Sequence, residues 1–255
     1  MHMVDCGRGT PLVFIPGLQG RWEYTAPTIQ ALAEHFRVIT FSLDDAAQSF
    51  DAYGDQVAEA MQQAQVARAA ICGLSFGGLV ALNFASRFPD RTAALVVASA
   101  PGPGWRLRRR HELYARVPWI FGPLFMMEIP FRTRPELKRA LPLPAERRAF
   151  ARTMLRIAVG APPSLAAMAR RARQIGSYDV APACARITAP TLIVTGEPEL
   201  DHVVRVEGTS QYGRLIAGAK TVILDRTGHQ GSLTRPAAFA EIVREFVTGA
   251  RHAAA

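Results

Sequence analysis

Short, continuously apolar runs alternate with longer stretches of helical periodicity along most of this chain. Leu12 to Ile15, Arg37 to Phe41, Ala69 to Cys72, Ala93 to Ala98, Thr191 to Val194 and Lys220 to Leu224 read as strands. Because they carry no alternating polar face, both faces must be covered. Tyr24 to His35, Phe50 to Ala64, Phe76 to Arg87, Val206 to Leu215 and Pro236 to Val247 are rich in Ala and Leu and read as helices. Such alternation predicts an α/β fold with a mostly parallel, doubly wound sheet.

The alternation breaks once, between Ala98 and Thr191, over about ninety residues that hold most of the Pro and Arg, too many for a plain loop. Helical patterns at Ala145 to Val159 and Pro163 to Ile175 predict a helical lid, residues 101–187, inserted into a core made of 1–100 and 188–255. Its apolar stretch, Val117 to Met127, follows the basic run Arg106 to Arg110. Pro118, Gly122 and Pro123 are expected to break any long helix there. The stretch therefore reads as a lid underside that lines a pocket through Trp119, Phe121, Phe125, Met126 and Met127, in preference to a helix lying on a membrane surface.

Composition narrows the class. With 255 residues, 49% hydrophobic and 20% charged, the chain can bury a substantial core, which argues against a disordered or fibrous protein. It has no apolar run long enough to span a bilayer and no signal-peptide pattern. Its three cysteines, Cys6, Cys72 and Cys184, have no metal-ligand spacing, so no metal or cofactor is expected and a reducing cytoplasm fits. Met1-His2-Met3 and the tail Ala253 to Ala255 read as added residues and are set aside. The net charge of +9 is concentrated: Trp105 to Ile175 holds sixteen Arg or Lys against four Glu, a net +12, leaving −3 for the rest. Only Lys138 and Lys220 are lysines, a preference for arginine that compositional bias explains at least as well as selection for anion binding, and no nucleic-acid partner is expected. Oligomeric state is not legible.

The chemistry centres on Gly73-Leu74-Ser75-Phe76-Gly77, between an apolar strand and a helix. A serine on so sharp a turn takes strained backbone angles, its flanking glycines give room, and the helix start offers N–H groups to developing negative charge. Serine needs a base. Of six histidines, only His229 lies on a loop after a late strand, in Asp225-Arg226-Thr227-Gly228-His229. The loop after Thr191 to Val194 offers Glu197, Glu199 and Asp201 as the acid that would orient that histidine. Asp201 is preferred for the hydrophobic pair Val203-Val204 behind it, with Glu199 as runner-up. Backbone N–H groups of Phe76 and of Leu18, the latter in Ile15-Pro16-Gly17-Leu18, are the candidate oxyanion donors.

These motifs, from Pro11 to Gly17 through Gly73 to Gly78 and Pro190 to Glu197 to Gly228-His229, resemble the lid-bearing serine-esterase branch of the α/β-hydrolase superfamily. The resemblance implies that superfamily's sheet with the lid placed after its sixth strand, the order Ser75, Asp201, His229, and a small-molecule substrate, in which the apolar stretch from Trp119 to Met127 suggests an apolar acyl or aromatic group. It implies hydrolysis of a carboxylic ester, lactone or thioester through an acyl-enzyme. Carbon–carbon bond hydrolysis and cofactor-free perhydrolysis are alternatives on the same triad, and a non-catalytic binding protein is a minority reading. Pro16 stands where many relatives carry histidine, and the late start of the chain implies that the first antiparallel strands are missing or vestigial.

Overall fold

A computed structural model describes residues 2–252; Met1 and Ala253 to Ala255, set aside above, lie outside the described residues. Seven strands, β1 (Met3–Gly7), β2 (Pro11–Ile15), β3 (Arg37–Phe41), β4 (Ala69–Leu74), β5 (Thr92–Ala98), β6 (Thr191–Thr195) and β7 (Lys220–Ile223), form one sheet in the order β1-β3-β2-β4-β5-β6-β7. Every pairing from β3 to β7 is parallel, and β1 alone runs antiparallel, with Met3 opposite Phe41 and Gly7 opposite Arg37.

The apolar runs are explained by two buried layers. Val13, Ile15, Ile39, Ile71, Leu95 and Val97 point into one core cluster, whereas their neighbours Leu12, Phe14, Val38, Ala70, Cys72 and Val96 point into the other. Adjacent residues on a strand face opposite ways, so both parities must be apolar when both sheet faces are covered. The core helices are α1 (Ala26–Ala33), α2 (Phe50–Gln63) and α3 (Phe76–Arg87). α1 supplies Ile29 and Leu32 to one layer, and α2 and α3 supply Val57, Leu79 and Phe84 to the other.

Between β5 and β6 come α4 (Arg109–Arg116), α5 (Pro118–Ala140), α6 (Pro144–Gly160), α7 (Leu165–Ser177) and α8 (Ala181–Ala185). After β6 follow α9 (Val206–Ser210), α10 (Tyr212–Leu215), α11 (Gly231–Thr234) and α12 (Pro236–His252). Among the described residues, no helix is long and apolar enough to cross a membrane.

Two expectations change. The front of the sheet is less reduced than supposed: the set-aside Met3 belongs to β1, whose short, half-exposed run around Asp5 gives no buried-strand signal. The prolines do not break α5, which continues over 23 residues with Pro123, Pro130 and Pro135 inside it. Pro118 occupies the first turn, where its missing N–H costs nothing. The three interior prolines all stand on the exposed side, where water can reach the carbonyls they leave unpaired.

Candidate active site

Ser75 joins β4 to α3 with φ 55° and ψ −117°, a backbone conformation that side chains rarely adopt. A Cβ on Gly73 would stand 2.1 Å from the carbonyl oxygen of Gly77, and one on Gly77 would stand 2.3 Å from that of Ile15. The glycine-flanked spacing is thus a packing requirement: the turn closes on itself and α3 presses against the end of β2. Ser75 also holds the position just before the helix, yet its hydroxyl caps nothing, whereas Ser49 and Ser164 accept from the N–H groups of Ala52 and Ala167 at the starts of α2 and α7. That hydroxyl is left for other chemistry.

The loops after β6 and β7 bring Asp201 and His229 together. A Cβ on Gly228 would lie 2.3 Å from the Leu200 oxygen, and one on Gly196 would lie 2.5 Å from the Gly228 oxygen, so the two loops touch through glycine backbone. Glu197 links them further, its backbone N–H donating to the Thr227 oxygen at 2.7 Å and its Oε1 accepting from the Arg226 N–H at 2.6 Å. Asp201 Oδ1 accepts from the N–H groups of Val203 and Val204, both at 2.9 Å, which fixes the carboxylate through the hydrophobic pair that singled it out. Its Oδ2 lies 3.4 Å from His229 Nδ1, within ion-pair reach but longer than an aligned hydrogen bond. Free hydrolases commonly tighten such bonds only with substrate bound. The competitor Glu199 is exposed, and Glu197 is engaged on the base loop.

A cavity of about 750 Å³ opens on Ser75, Leu18 and Asp201 and is walled by α4, α5 and α7. Of the five aromatic and methionine side chains expected in it, only Phe125 lines it. Phe121 stacks on Tyr114 instead, and Met126 stays outside the lining. Trp119 and Met127 face outward on α5 beside Ile120 and Phe131, with Trp119 76% and Phe131 75% exposed. The apolar walls come from Trp105, Leu107, Leu165, Met168 and Ile175, which the sequence reading did not single out. Arg106, Arg108, Arg132 and Arg205 line the cavity, as do Asp201 and Glu207.

Two further residues escaped the sequence reading. Arg171 on α7 is wholly buried and binds Tyr53 Oη at 3.2 Å, Asp45 Oδ1 at 2.7 Å and the carbonyl oxygens of Leu18 and Leu43 at 3.3 Å each. It ties the helical segment to the loop of the candidate oxyanion donor, and its surroundings leave no room for a side chain at Gly20. Arg171→Met would strand these acceptors and is expected to destabilise the fold by about 3–5 kcal/mol, read from the urea midpoint. The second residue is Glu136 on α5, buried, with both carboxylate oxygens accepting from the Gln230 N–H at 2.8 and 3.0 Å. Burial raises its pKa to about 7 against the opposing pull of backbone N–H groups and of His229. Its one sequence signal is that it is among only four acids in the strongly basic segment.

A parallel sheet with a strained serine at the β4–α3 turn, and an acid and a histidine after later strands, defines an α/β hydrolase-like protein. The chain belongs to the alpha/beta hydrolase family, whose sequence model matches residues 12–242. It is 27% identical to the 2-hydroxymuconate semialdehyde hydrolase of Pseudomonas sp. strain CF600, over 99% of this chain and 92% of that protein. To the pimeloyl-[acyl-carrier protein] methyl ester esterase of Nitrosomonas europaea it is 25% identical, over 94% and 96% respectively. The enol-lactonase of Burkholderia xenovorans LB400 superposes with a TM-score of 0.79 at 22% identity, over 97% of this chain and 96% of the other.

Proposed function

We propose that this protein is a serine hydrolase of carboxylic esters, including lactones and thioesters, that works through an acyl-enzyme. The carrying observation is Ser75, held at the strained β4–α3 turn with an uncommitted hydroxyl, opening on a cavity that also receives Asp201. His229 takes the Ser75 proton as the oxygen attacks the acyl carbon, and the N–H groups of Leu18 and Phe76 hold the oxyanion. The proton passes to the leaving alcohol, and His229 then activates the water that frees the acid. Asp201 keeps the imidazole oriented. The helical segment serves as the lid, and the three unpaired cysteines fit a cytoplasmic enzyme. Labelling of Ser75 by a fluorophosphonate tests the mechanism, because an unactivated serine does not react; an unlabelled Ser75 would sink it.

The arginines that line the cavity favour substrates with an acidic group near an apolar body. Replacing both Arg106 and Arg108 with alanine is expected to raise KM for a carboxylate-bearing ester by about tenfold or more while leaving a neutral ester unaffected. Equal KM changes for both esters would remove the arginines from recognition. Carbon–carbon bond hydrolysis is the second reading, favoured by the same basic cavity and by the near full-length similarity to a semialdehyde hydrolase. A panel of esters, lactones, thioesters and acid-bearing vinylogous ketones separates the two.

A further inference from the structure

Two side chains four residues apart on α5, and a backbone carbonyl of its last turn, reach the two loops that carry Asp201 and His229. Arg132 Nη2 donates to the carbonyl oxygen of His202, directly after Asp201, at 2.8 Å. Glu136 accepts from the N–H of Gln230, directly after His229. The carbonyl oxygen of Arg139 accepts from Arg226 Nε and Nη2, both at 3.3 Å, three residues before His229. Arg132 and Glu136, four residues apart, share one side of the helix, and the Arg139 carbonyl lies in its last turn, so one helix spans both loops. The same side buries Thr133 and Ala140, whereas the opposite side exposes Trp119, Met127 and Phe131.

We infer that α5 is a clamp that sets the separation of Asp201 and His229, and that Glu136 is the positioning residue through which the helix holds the base loop. This inference rests on the proposed Ser75 chemistry and extends it. An ordinary lid wall needs no buried carboxylate. Glu136 is 1% exposed, and a charged group so placed is costly unless its partners satisfy it. Those partners are backbone N–H groups of the base loop, and the titratable groups facing it are His229 from that loop and Asp201 from the acid loop. The near-neutral pKa adds a signature, since the charge of Glu136 itself titrates within the working pH range.

The test compares Glu136→Leu and Glu136→Gln with the wild-type enzyme on a short nitrophenyl ester. Leucine fills the space but accepts no hydrogen bond; kcat should fall about 10- to 100-fold at unchanged KM, the scale of a slightly misplaced catalytic group. Glutamine keeps an acceptor for the Gln230 N–H and removes the charge. It should restore most of kcat and remove from the pH profile the component near pH 7 that titration of Glu136 contributes. A folded leucine variant with wild-type kcat overturns the proposal, and so does a rise in KM alone, which would reduce α5 to a cavity wall. Should thermal melting show the leucine variant unfolded, the glutamine variant decides: a pH profile identical to wild type overturns the inference. Wild-type protein that neither turns over the ester nor takes up fluorophosphonate at Ser75 sinks the hydrolase reading itself, whereas unaltered kinetics of Glu136 variants in a reactive enzyme sink only the clamp.

Discussion

Ser75→Ala is expected to lower kcat on short nitrophenyl esters by on the order of 10⁶-fold, the loss seen when a triad nucleophile is removed, and to abolish fluorophosphonate labelling. Its effect on stability should be close to nil. The hydroxyl caps no helix, and alanine at φ 55° carries the same backbone strain as serine, so neither a hydrogen bond nor a conformational term is lost. Ser49→Ala is the matched control. Its hydroxyl accepts from the Ala52 N–H at the start of α2, and its loss should cost about 1 kcal/mol of stability with turnover unchanged. The two variants separate a serine kept for folding from one kept for chemistry. Wild-type turnover in Ser75→Ala would end the mechanism, and a large fall in its melting temperature would show that the hydroxyl has a structural partner after all.

Local pattern carried the sheet and most of the core helices. α3 occupies Phe76–Arg87 as read, and β3 occupies Arg37–Phe41, because a continuously apolar run between two covered faces has few other ways to bury itself. The half-exposed β1 lacked that signal, since Asp5 and Gly7 interrupt it and its single neighbour is β3. The helical segment was less legible still. Periodicity placed α6 and α7 near Ala145 to Val159 and Pro163 to Ile175, but the direction in which α5 faces depends on tertiary partners. Apolar character alone put Trp119 and Met127 in the pocket, whereas in the structure α5 turns Glu136 and Thr133 inward and those two outward. The elbow and its loops were readable for a local reason, as their glycines mark close backbone approaches. Arg171 and Glu136 were not readable, because a buried charge is defined by partners far away in sequence, such as Leu18 and Gln230.

Asp201→Asn should cost about 10⁴-fold in kcat while Glu199→Gln costs nothing measurable. The asymmetry follows from the hydrogen bonds around Asp201. Its Oδ1 already accepts from the N–H groups of Val203 and Val204, so an asparagine would keep its carbonyl oxygen there and turn its amide NH₂ toward His229 Nδ1. The imidazole would then accept at Nδ1 and carry its proton on Nε2, the nitrogen that must take the proton of Ser75. The base is blocked by the wrong tautomer with the geometry intact. Because both backbone bonds survive, the melting temperature should barely move, and KM should stay near the wild-type value. Glu199 is exposed on the same loop, so amidating it changes only a solvated surface charge. The reverse ranking, with Glu199→Gln crippling turnover and Asp201→Asn sparing it, would move the acid two residues along the loop. It would also leave the 3.4 Å approach of Asp201 to His229 without a catalytic purpose.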